Sequence, residues 1–435
     1  MKILRVAVYT LGCKVNQYES QFLCERFLQR GHQIVAHTEP ADVYIVNSCT
    51  VTATSDSKSK KMVGHFRKQN PDAVVALIGC FPQAFPEKAY EVKTADIVLG
   101  NAEKGRVVEL CERCFADKER REAVCDQILP AEIEPMCISR FEERTRAFVK
   151  IQDGCNRFCS YCIIPKARGR ICSKPINEIV EEITALSKNG YSEIVLVGID
   201  LSSYGKQFGK TLTDAVEAVA KIDGVKKIRL GSLEPEIISD EDLKRLSKIE
   251  KFCPQFHLSL QSGCDKTLKR MNRHYNCDEY REIVNKIRAA FENASITTDV
   301  MVGFAGESDE DFKASLEFVK SIGFLKVHVF PYSVRKGTRA AEFEGHIDGE
   351  TKKKRARIML SETEKIRREI LENQIGKTVE VLVESRIKNN CAFGYTKDYL
   401  PVFVEDCSLP VGSFCTVKIE NVKDDGCIAT GGINK

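Results

Sequence analysis

The chain has 435 residues, of which 43% are hydrophobic and 29% are charged, and its formal net charge is only +4. This length and composition predict two or three domains with their own cores and exclude a disordered tail or linker. Nineteen cysteines would indicate a disulfide scaffold in a short secreted chain, but this chain is long and begins directly with strand-like residues. No apolar run reaches the length of a membrane-spanning helix. We therefore expect a cytoplasmic protein with reduced thiols and no membrane association.

The first hundred residues alternate between strand-like and helix-like segments. Strands are expected at residues 5–11, 43–47, 73–78 and 96–99, and the clearest helices at 17–30 and 55–68. Short runs of β-branched and apolar residues that alternate with helices are typical of parallel sheets covered on both faces. The pattern predicts an α/β fold in which residues 1–135 form an N-terminal doubly wound parallel-sheet domain.

Three of these predicted strands are followed by a cysteine, namely Cys13, Cys49 and Cys80. Parallel strands end at the same edge of a sheet, and open α/β sheets bind their ligands at that edge. We therefore predict that the three thiols converge and hold a metal cluster, although a single buried cysteine is most often a packing residue. A glycine precedes Cys13 and Cys80, which suits a tight turn close to a bulky group.

A second group of three cysteines, Cys155, Cys159 and Cys162, occupies eight consecutive positions. Thiolates bind zinc or iron–sulfur clusters, and a missing fourth ligand is typical of a metal that keeps one position open. A structural zinc loop, the alternative, usually pairs two CxxC motifs. The spacing CxxxCxxC resembles the signature of the radical S-adenosylmethionine (SAM) enzymes. This resemblance implies that the cysteines hold a 4Fe–4S cluster whose open iron binds SAM, with Tyr161 as the usual aromatic residue between the last two ligands.

From residue 146 onward the pattern is strand then helix, repeated six times. The predicted strands cover residues 147–152, 193–197, 227–230, 256–260, 295–302 and 327–332. A complete TIM-type barrel has eight such units, so six units predict a partial α/β barrel, which the radical SAM resemblance also implies. We expect this radical SAM core to cover residues 140–372.

Polar residues occupy the ends of the predicted barrel strands, where α/β barrels carry their functional groups. Loop capping and turn formation are the alternative roles for each residue. By this rule we assign the following residues to binding of SAM or of the target base: Gly198, Asp200, Ser232, Glu234, Gln261 and Asp299. His257 and His328 lie inside apolar strands, and we expect them to be hydrogen-bonded core residues.

The last sixty residues change character after a charged helix expected at 352–373. Five short strands at 379–383, 391–395, 402–405, 415–419 and 427–429 predict a small closed β-barrel over residues 374–435. This segment resembles the TRAM domain, which implies RNA binding. Basic and acidic residues nearly balance in it, so we expect much of the attraction for RNA phosphates to come from elsewhere.

Two further sets of residues are predicted to contact RNA. Aromatic side chains stack on unpaired bases, and the candidates in the C-terminal segment are Phe393, Tyr395 and Tyr399. The basic candidates, besides those of the connecting helix, are Lys166, Arg168, Arg170, Lys269, Arg270 and Arg273.

Three segments, residues 12–20, 47–52 and 197–200, resemble the methylthiotransferase family, and specifically its branch that acts on threonylcarbamoyladenosine. This resemblance implies a tRNA-modifying enzyme that inserts a methylthio group at carbon 2 of N6-threonylcarbamoyladenosine at position 37, next to the anticodon. Because that carbon is not activated, a radical derived from SAM is required. The resemblance also implies two 4Fe–4S clusters, two molecules of SAM per turnover, the tRNA anticodon stem-loop as partner, and an electron donor such as flavodoxin or ferredoxin.

Other functions are compatible with the same motifs. A methylthiotransferase that acts on isopentenyl-adenosine in tRNA, or on an aspartate of a ribosomal protein, shares the chemistry and differs in substrate. A non-enzymatic iron–sulfur sensor that binds RNA is the alternative from another class, and formation of deoxyadenosine from SAM would distinguish the enzyme from the sensor.

Overall fold

The computed structural model of the chain describes residues 2–102, 104–124, 133–140, 145–387, 390–424, 426–431 and 433–434. Within this part of the chain, none of the helices is both long and apolar enough to cross a membrane.

The N-terminal sheet (strands β1–β6) is parallel throughout, with the order β2-β1-β3-β4-β5-β6. Its central strands β3 and β4 are buried at every residue, since helices cover both faces. Tyr18 and Phe27 of α1 pack on one face, and Phe66 of α2 packs on the other. The predicted doubly wound sheet is thus confirmed. Its elements are β1 Arg5–Thr10, α1 Lys14–Gln29, β2 Gln33–Ile34, β3 Val43–Ser48, α2 Ala53–Gln69, β4 Val74–Gly79, α3 Cys80–Ala84, α4 Pro86–Tyr90, β5 Ile97–Leu99, α5 Val107–Asp117 and β6 Arg121–Ala123.

The central barrel (strands β7–β15) contains six main parallel strands, β7, β10, β11, β13, β14 and β15, in sequence order. An isolated bridge pairs Ile228 of the first sheet with Phe252, which lies just before a strand of the second sheet. Among the described residues no pairing joins β7 to β15, so the predicted partial barrel of six units is confirmed. Its elements are β7 Arg146–Lys150, β8 Gln152–Asp153, α6 Ile164–Arg168, β9 Cys172–Ser173, α7 Ile176–Lys188, β10 Glu193–Val197, α8 Leu212–Ala220, β11 Lys227–Leu230, β12 Ser232–Leu233, α9 Asp240–Leu246, β13 Gln255–Leu258, α10 Asp265–Arg270, α11 Cys277–Ala290, β14 Ser295–Val302, α12 Asp309–Ile322 and β15 Lys326–Pro331.

The C-terminal barrel (strands β16–β21) follows the long connecting helix α13. Its strands pair in the order β16-β17-β18-β20-β19, and an additional pairing of β16 with β19 closes the ring. The small closed β-barrel expected from the sequence is therefore confirmed. Its elements are α13 Gly349–Glu372, β16 Thr378–Ile387, β17 Cys391–Thr396, β18 Pro401–Glu405, β19 Phe414–Lys423, β20 Gly426–Thr430 and β21 Ile433–Asn434.

The C-terminal barrel packs against the end of the central barrel at which its strands begin. Arg229 of β11 donates hydrogen bonds of 2.8 Å to the carbonyl oxygens of Thr396 and Lys397. Arg146 of β7 forms an ion pair of 2.8 Å with Glu384. These contacts cover the amino-terminal end of the central barrel, so access to its interior is left to other sides.

The aromatic residues predicted to stack on RNA bases lie at this domain contact. The rings of Tyr395 and Tyr399 stack on each other with centroids 4.2 Å apart, and the Arg146 guanidinium lies over both rings. Phe393 packs on Phe403 of the same barrel. Phe393, Tyr395 and Tyr399 nevertheless all border the cavity described below, so stacking of these rings on RNA bases stays a prediction.

A buried ion network joins the N-terminal sheet to the central barrel, and it consists of Glu19, Lys104, Lys150, Asp153 and Arg168. Lys150 Nζ lies 3.0 Å from a Glu19 oxygen, and Lys104 and Arg168 also contact the Glu19 carboxylate. Burial alone would raise the pKa of Glu19, but the surrounding cations hold its pKa well below its usual range. Glu19 is therefore the anion that permits three cations to be buried between two domains.

We predict that Glu19→Gln strongly destabilises the protein. Removing one partner of a buried ion pair leaves uncompensated charge and costs about 3–5 kcal/mol. The matched control is Glu317→Gln, which removes an exposed carboxylate paired with Lys320, and exposed pairs contribute little. Urea denaturation of both variants checks the prediction, and equal unfolding midpoints for the two variants would show that the network carries no such role.

Candidate metal centres

The three N-terminal cysteines lie at the carboxyl edge of the N-terminal sheet. Cys13 caps helix α1, Cys49 follows β3, and Cys80 begins helix α3. Burial raises the pKa of Cys49 to about 11, and the neighbouring thiols of Cys80 and Cys13 contribute to this rise. The parallel sheet thus brings together three thiols that lie far apart in sequence.

Glycine permits the close approach of these loops. Gly12 has φ +107°, and a Cβ atom built there would lie 2.8 Å from Cβ of Cys49 and 3.1 Å from its sulfur. Any side chain at this position would push the Cys13 and Cys49 loops apart. Asn16 then ties the same two loops together, because its Nδ2 donates to the carbonyl oxygens of Leu11 and Ser48.

The sulfur of Cys80 has two nitrogen donors beside it. Arg168 Nε lies 3.2 Å from Cys80 Sγ, and Asn101 Nδ2 lies 3.6 Å from it. Arg168 is buried and belongs to α6 of the central barrel. Both N–H groups are placed to donate to the sulfur of Cys80 when it serves as a metal ligand.

The second cysteine group lies on the loop after β7 and β8. Gly154, with φ +71°, starts this loop, and a Cβ atom there would lie 1.8 Å from the carbonyl oxygen of Arg170. The Cys155 amide donates to the carbonyl oxygen of Gly169. Between the cysteines, Ser160 Oγ donates to the carbonyl oxygen of Arg270 at 2.8 Å. The loop is therefore held at its start by Gly169 and in its second half by Arg270.

Charged groups surround these three thiols. Arg273 Nη1 lies 3.2 Å from Cys159 Sγ, and the same guanidinium contacts the Glu234 carboxylate. Burial raises the pKa of Cys162 to about 12, and Cys159 adds to the rise. Burial raises the pKa of Cys155 as well, with Asp200 as the second cause. A positively charged arginine beside sulfur offsets part of the cost of a buried thiolate.

Some of the residues assigned to SAM or base binding lie beside this loop. The Cys155 sulfur lies 4.0 Å from Asp200 Oδ2. The Asp200 amide donates to Gln152 Oε1, and a Cβ at Gly198 would lie 2.7 Å from that same atom. Tyr161 packs edge-to-face on Phe304 in a small apolar cluster. Glycine at position 198 is thus needed to hold the Asp200 loop against β8.

Two of these residues carry buried oxygen atoms that have no hydrogen-bond partner among the described residues, namely Asp200 Oδ1 and Gln261 Oε1. Gln261 also has φ +68°, a left-handed conformation that is uncommon for a residue other than glycine. Strain and unpaired polar atoms tend to occur together at ligand sites. Both atoms fit a polar cofactor placed against the strand ends.

A cavity of about 780 Å³ lies inside the central barrel. Gly198, Ser232 and Asp299 line it from the central barrel, and Gly12 and Cys13 line it from the N-terminal domain. The cavity therefore extends from the Cys13 site of the N-terminal sheet to the carboxyl ends of central-barrel strands such as β10. Its size is that of a small-molecule site.

The donor set fits iron–sulfur clusters at both places. Within the described residues, no group of three His, Cys, Asp or Glu side chains is already arranged as a metal site. The thiols of each group are therefore neighbours, but they are not yet at the positions of metal ligands. Each cysteine group nevertheless supplies three sulfur atoms and an arginine N–H beside one of them. Sulfur ligands with such hydrogen bonds are characteristic of cluster sites.

The two arginines in question were expected to bind RNA, and that expectation is wrong. Arg168 and Arg273 are 1% and 3% exposed at their side chains, and both are ion-paired. Lys166, Arg170 and Lys269 are exposed, as RNA binding requires. The sequence carries no local signal for the burial of Arg168, because the sulfur beside it belongs to Cys80, which lies 88 residues away in the chain.

Three family models match the chain. They are the Radical SAM superfamily over residues 149–319, Uncharacterized protein family UPF0004 over residues 5–100, and the TRAM domain over residues 372–425. The solved structure of TsrM, a radical S-adenosylmethionine methyltransferase from Kitasatospora setae, is similar with a TM-score of 0.56. It covers 76% of this chain and 75% of its own at 12% identity, which shows the fold alone.

Curated relatives are similar over most of the chain. Threonylcarbamoyladenosine tRNA methylthiotransferase MtaB of Aquifex aeolicus is 37% identical over 87% of this chain and 93% of its own length. tRNA-2-methylthio-N(6)-dimethylallyladenosine synthase of Alkaliphilus oremlandii is 34% identical over 95% of this chain and 89% of its own. With this identity over nearly the whole length, the chain belongs to the radical SAM tRNA methylthiotransferase family.

Proposed function

We propose that this protein methylthiolates carbon 2 of N6-threonylcarbamoyladenosine at position 37 of tRNA, using two 4Fe–4S clusters and two molecules of SAM. The observation that carries this proposal is the single cavity that borders Cys13 on one side and Gly198, Ser232 and Asp299 on the other. Gly198 of this cavity lies two residues before Asp200, which is next to the Cys155 sulfur, so a base held there has one cysteine group on each side. The name of the Aquifex aeolicus relative supports this choice of substrate.

The roles of the residues follow from their places. Cys155, Cys159 and Cys162 hold the cluster that binds SAM, and Cys13, Cys49 and Cys80 hold the auxiliary cluster. When bound, these groups supply the radical that removes the hydrogen of carbon 2 and the sulfur that replaces it. We assign SAM contacts to Tyr161, Gly198, Asp200, Ser232, Glu234, Gln261 and Asp299.

The chain itself excludes water and fixes orientation. Arg168 holds Cys80 against the central barrel, and Arg273 places a positive charge beside Cys159. The C-terminal barrel covers the amino-terminal end of the central barrel. These contacts hold both cysteine groups in place and close one end of the central barrel, which would limit side reactions of a radical formed there.

We further propose the division of labour among the domains and the partners. Residues 1–135 carry the auxiliary cluster, residues 140–372 form the radical SAM core, and residues 374–435 bind the tRNA anticodon stem-loop. A flavodoxin or ferredoxin supplies the electron. We place the protein in the cytoplasm, because cluster assembly needs reduced thiols and the described cysteines are all free.

Replacement of Cys13, Cys49 and Cys80 by alanine is expected to abolish methylthiolation while deoxyadenosine formation from SAM persists. Bound iron is expected to fall from about eight to about four atoms per chain, as for the loss of one of two cubane clusters. Iron analysis and product chromatography of anaerobically reconstituted protein check both points. Cys137→Ala, at an exposed thiol, is the control, and equal loss of both activities in the triple variant would contradict the assigned roles.

Arg273→Gln is expected to make the reduction potential of the SAM-binding cluster more negative. A cation beside a ligand sulfur stabilises the reduced and more negative cluster, and each 1.4 kcal/mol of lost stabilisation corresponds to about 60 mV for one electron. A redox titration followed by electron paramagnetic resonance measures the shift. Arg281→Gln, on the outer helix α11, is the matched control, and an unchanged potential in the Arg273 variant would remove this role.

The substrate is tested in cells that lack the protein. Nucleoside mass spectrometry of their tRNA is expected to show loss of the methylthio derivative of threonylcarbamoyladenosine alone, with the unmethylthiolated nucleoside accumulating. Loss of the methylthio derivative of dimethylallyladenosine instead would assign the protein to the function named for the Alkaliphilus oremlandii relative.

A further inference from the structure

The charged side chains that line the cavity of the central barrel are almost all basic. Asp299 is the only acidic residue among them. The basic and histidine residues of the lining are Lys14, Arg146, Arg229, Lys326 and Arg367, with His257 and His328. Such a wall favours an anion, because low-dielectric surroundings strengthen the attraction of unlike charges.

Two of these cations already serve the contact with the C-terminal barrel. Arg229 Nε is 2.7 Å from Glu193, and Arg146 pairs with Glu384. The one carboxylate of the cavity is also engaged, since Asp299 Oδ2 lies 3.3 Å from His257 Nε2. The charges of these residues are thus largely balanced before any ligand binds.

Lys326 and His328 differ from the other cations. They lie two residues apart on β15, opposite Thr297 and Asp299 of β14, so both side chains face the cavity. Within the described part of the chain Lys326 makes no ion pair, and His328 is exposed although it lies in a barrel strand. The expectation that His328 is a satisfied core residue is therefore wrong.

Positive charge is concentrated around His328. His328 faces the cavity, and partial desolvation by the cavity walls lowers its pKa, while Asp299 opposes that shift. The other charges that act on His328 come from His257, Lys326 and Lys14. Lys14 directly follows Cys13. The basic residues around His328 therefore extend from Lys326 on β15 to the N-terminal cysteine site.

We propose that Lys326 and His328, with Lys14 opposite them, bind the carboxylate of the threonylcarbamoyl group and so select this substrate. The inference rests on the proposed function. Carbon 2 and the carbon that bears N6 are both bonded to N1 of adenine, so a base placed for reaction carries its N6 substituent into the same cavity. A dimethylallyl group there would leave the Lys326 ammonium group desolvated and without an anion, which is unfavourable.

The test compares three anticodon stem-loops that differ only at position 37: unmodified adenosine, threonylcarbamoyladenosine, and the analogue in which the threonine carboxylate is a carboxamide. Fluorescence anisotropy measures their binding to the full-length, reconstituted protein with SAM. The unaltered protein is expected to bind the carboxylate form about 10- to 100-fold more tightly than the carboxamide, as for a hydrogen bond to a charged group.

Lys326→Met is expected to remove most of that preference without changing the affinity for the unmodified stem-loop. Lys326→Arg, which keeps the charge, should retain the preference, and Lys313→Met, at an exposed lysine of helix α12, should bind all three as the unaltered protein does. Deoxyadenosine formation from SAM without RNA reports whether the Met variant is folded and loaded.

Two results would overturn the proposal. Equal weakening of all three stem-loops by Lys326→Met would assign Lys326 to a backbone phosphate, and an unchanged preference would leave the carboxylate to other residues. Failure of the proposed function is distinguishable, because the unaltered protein would then not methylthiolate the threonylcarbamoyladenosine stem-loop at all.

Discussion

The relative placement of the two cysteine groups depends on one guanidinium. Arg168 belongs to the central barrel, yet it contacts the sulfur of Cys80, the carboxylate of Glu19 and the side chain of Asn16 in the N-terminal domain. Its neighbour Gly169 accepts the amide hydrogen bond of Cys155. One buried segment is therefore in contact with both sites. Because the ion pairs of Arg168 are desolvated, displacing it exposes several unpaired charges at once, which makes the arrangement stiff.

This constraint explains why the cavity lies where it does. A partial barrel leaves the space between β7 and β15 without a strand, and helix α1, which begins at the Cys13 site, packs against β7. The C-terminal barrel covers the opposite end through Arg229 and Arg146. Two separate domains thus cover two sides of the cavity, and polar loops lie at the carboxyl ends of the barrel strands.

Much of the fold could be predicted from the sequence because its strands are short, apolar and followed by helices. The convergence of Cys13, Cys49 and Cys80 was also predictable. These residues follow the parallel strands β1, β3 and β4, whose carboxyl ends lie at the same edge of the sheet. Arg168 and Arg273 were not predictable in this way. Their partners, Glu19 and Glu234, lie 149 and 39 residues away in sequence, and a basic residue carries no local pattern that separates a buried ion pair from a surface RNA contact. The exposure of His328 was not predictable either. An apolar strand pattern does not show whether a side chain that points into a partial barrel meets packed atoms or a cavity.

The distribution of charge gives one fold a way to select among related bases. The chemistry at carbon 2 is the same for a polar and an apolar N6 substituent, so selection must come from groups that do not react. In this chain the carboxylates that balance Arg146, Arg229 and His257 are supplied by the protein, whereas no carboxylate of the described residues pairs with Lys326. A site built with an unpaired charge rejects apolar ligands more strongly than it attracts its own, because the wrong ligand leaves that charge desolvated. Under the proposed role of Lys326, substrate choice depends on which charges of the cavity wall are left unbalanced, and it can change without any change at the cysteines.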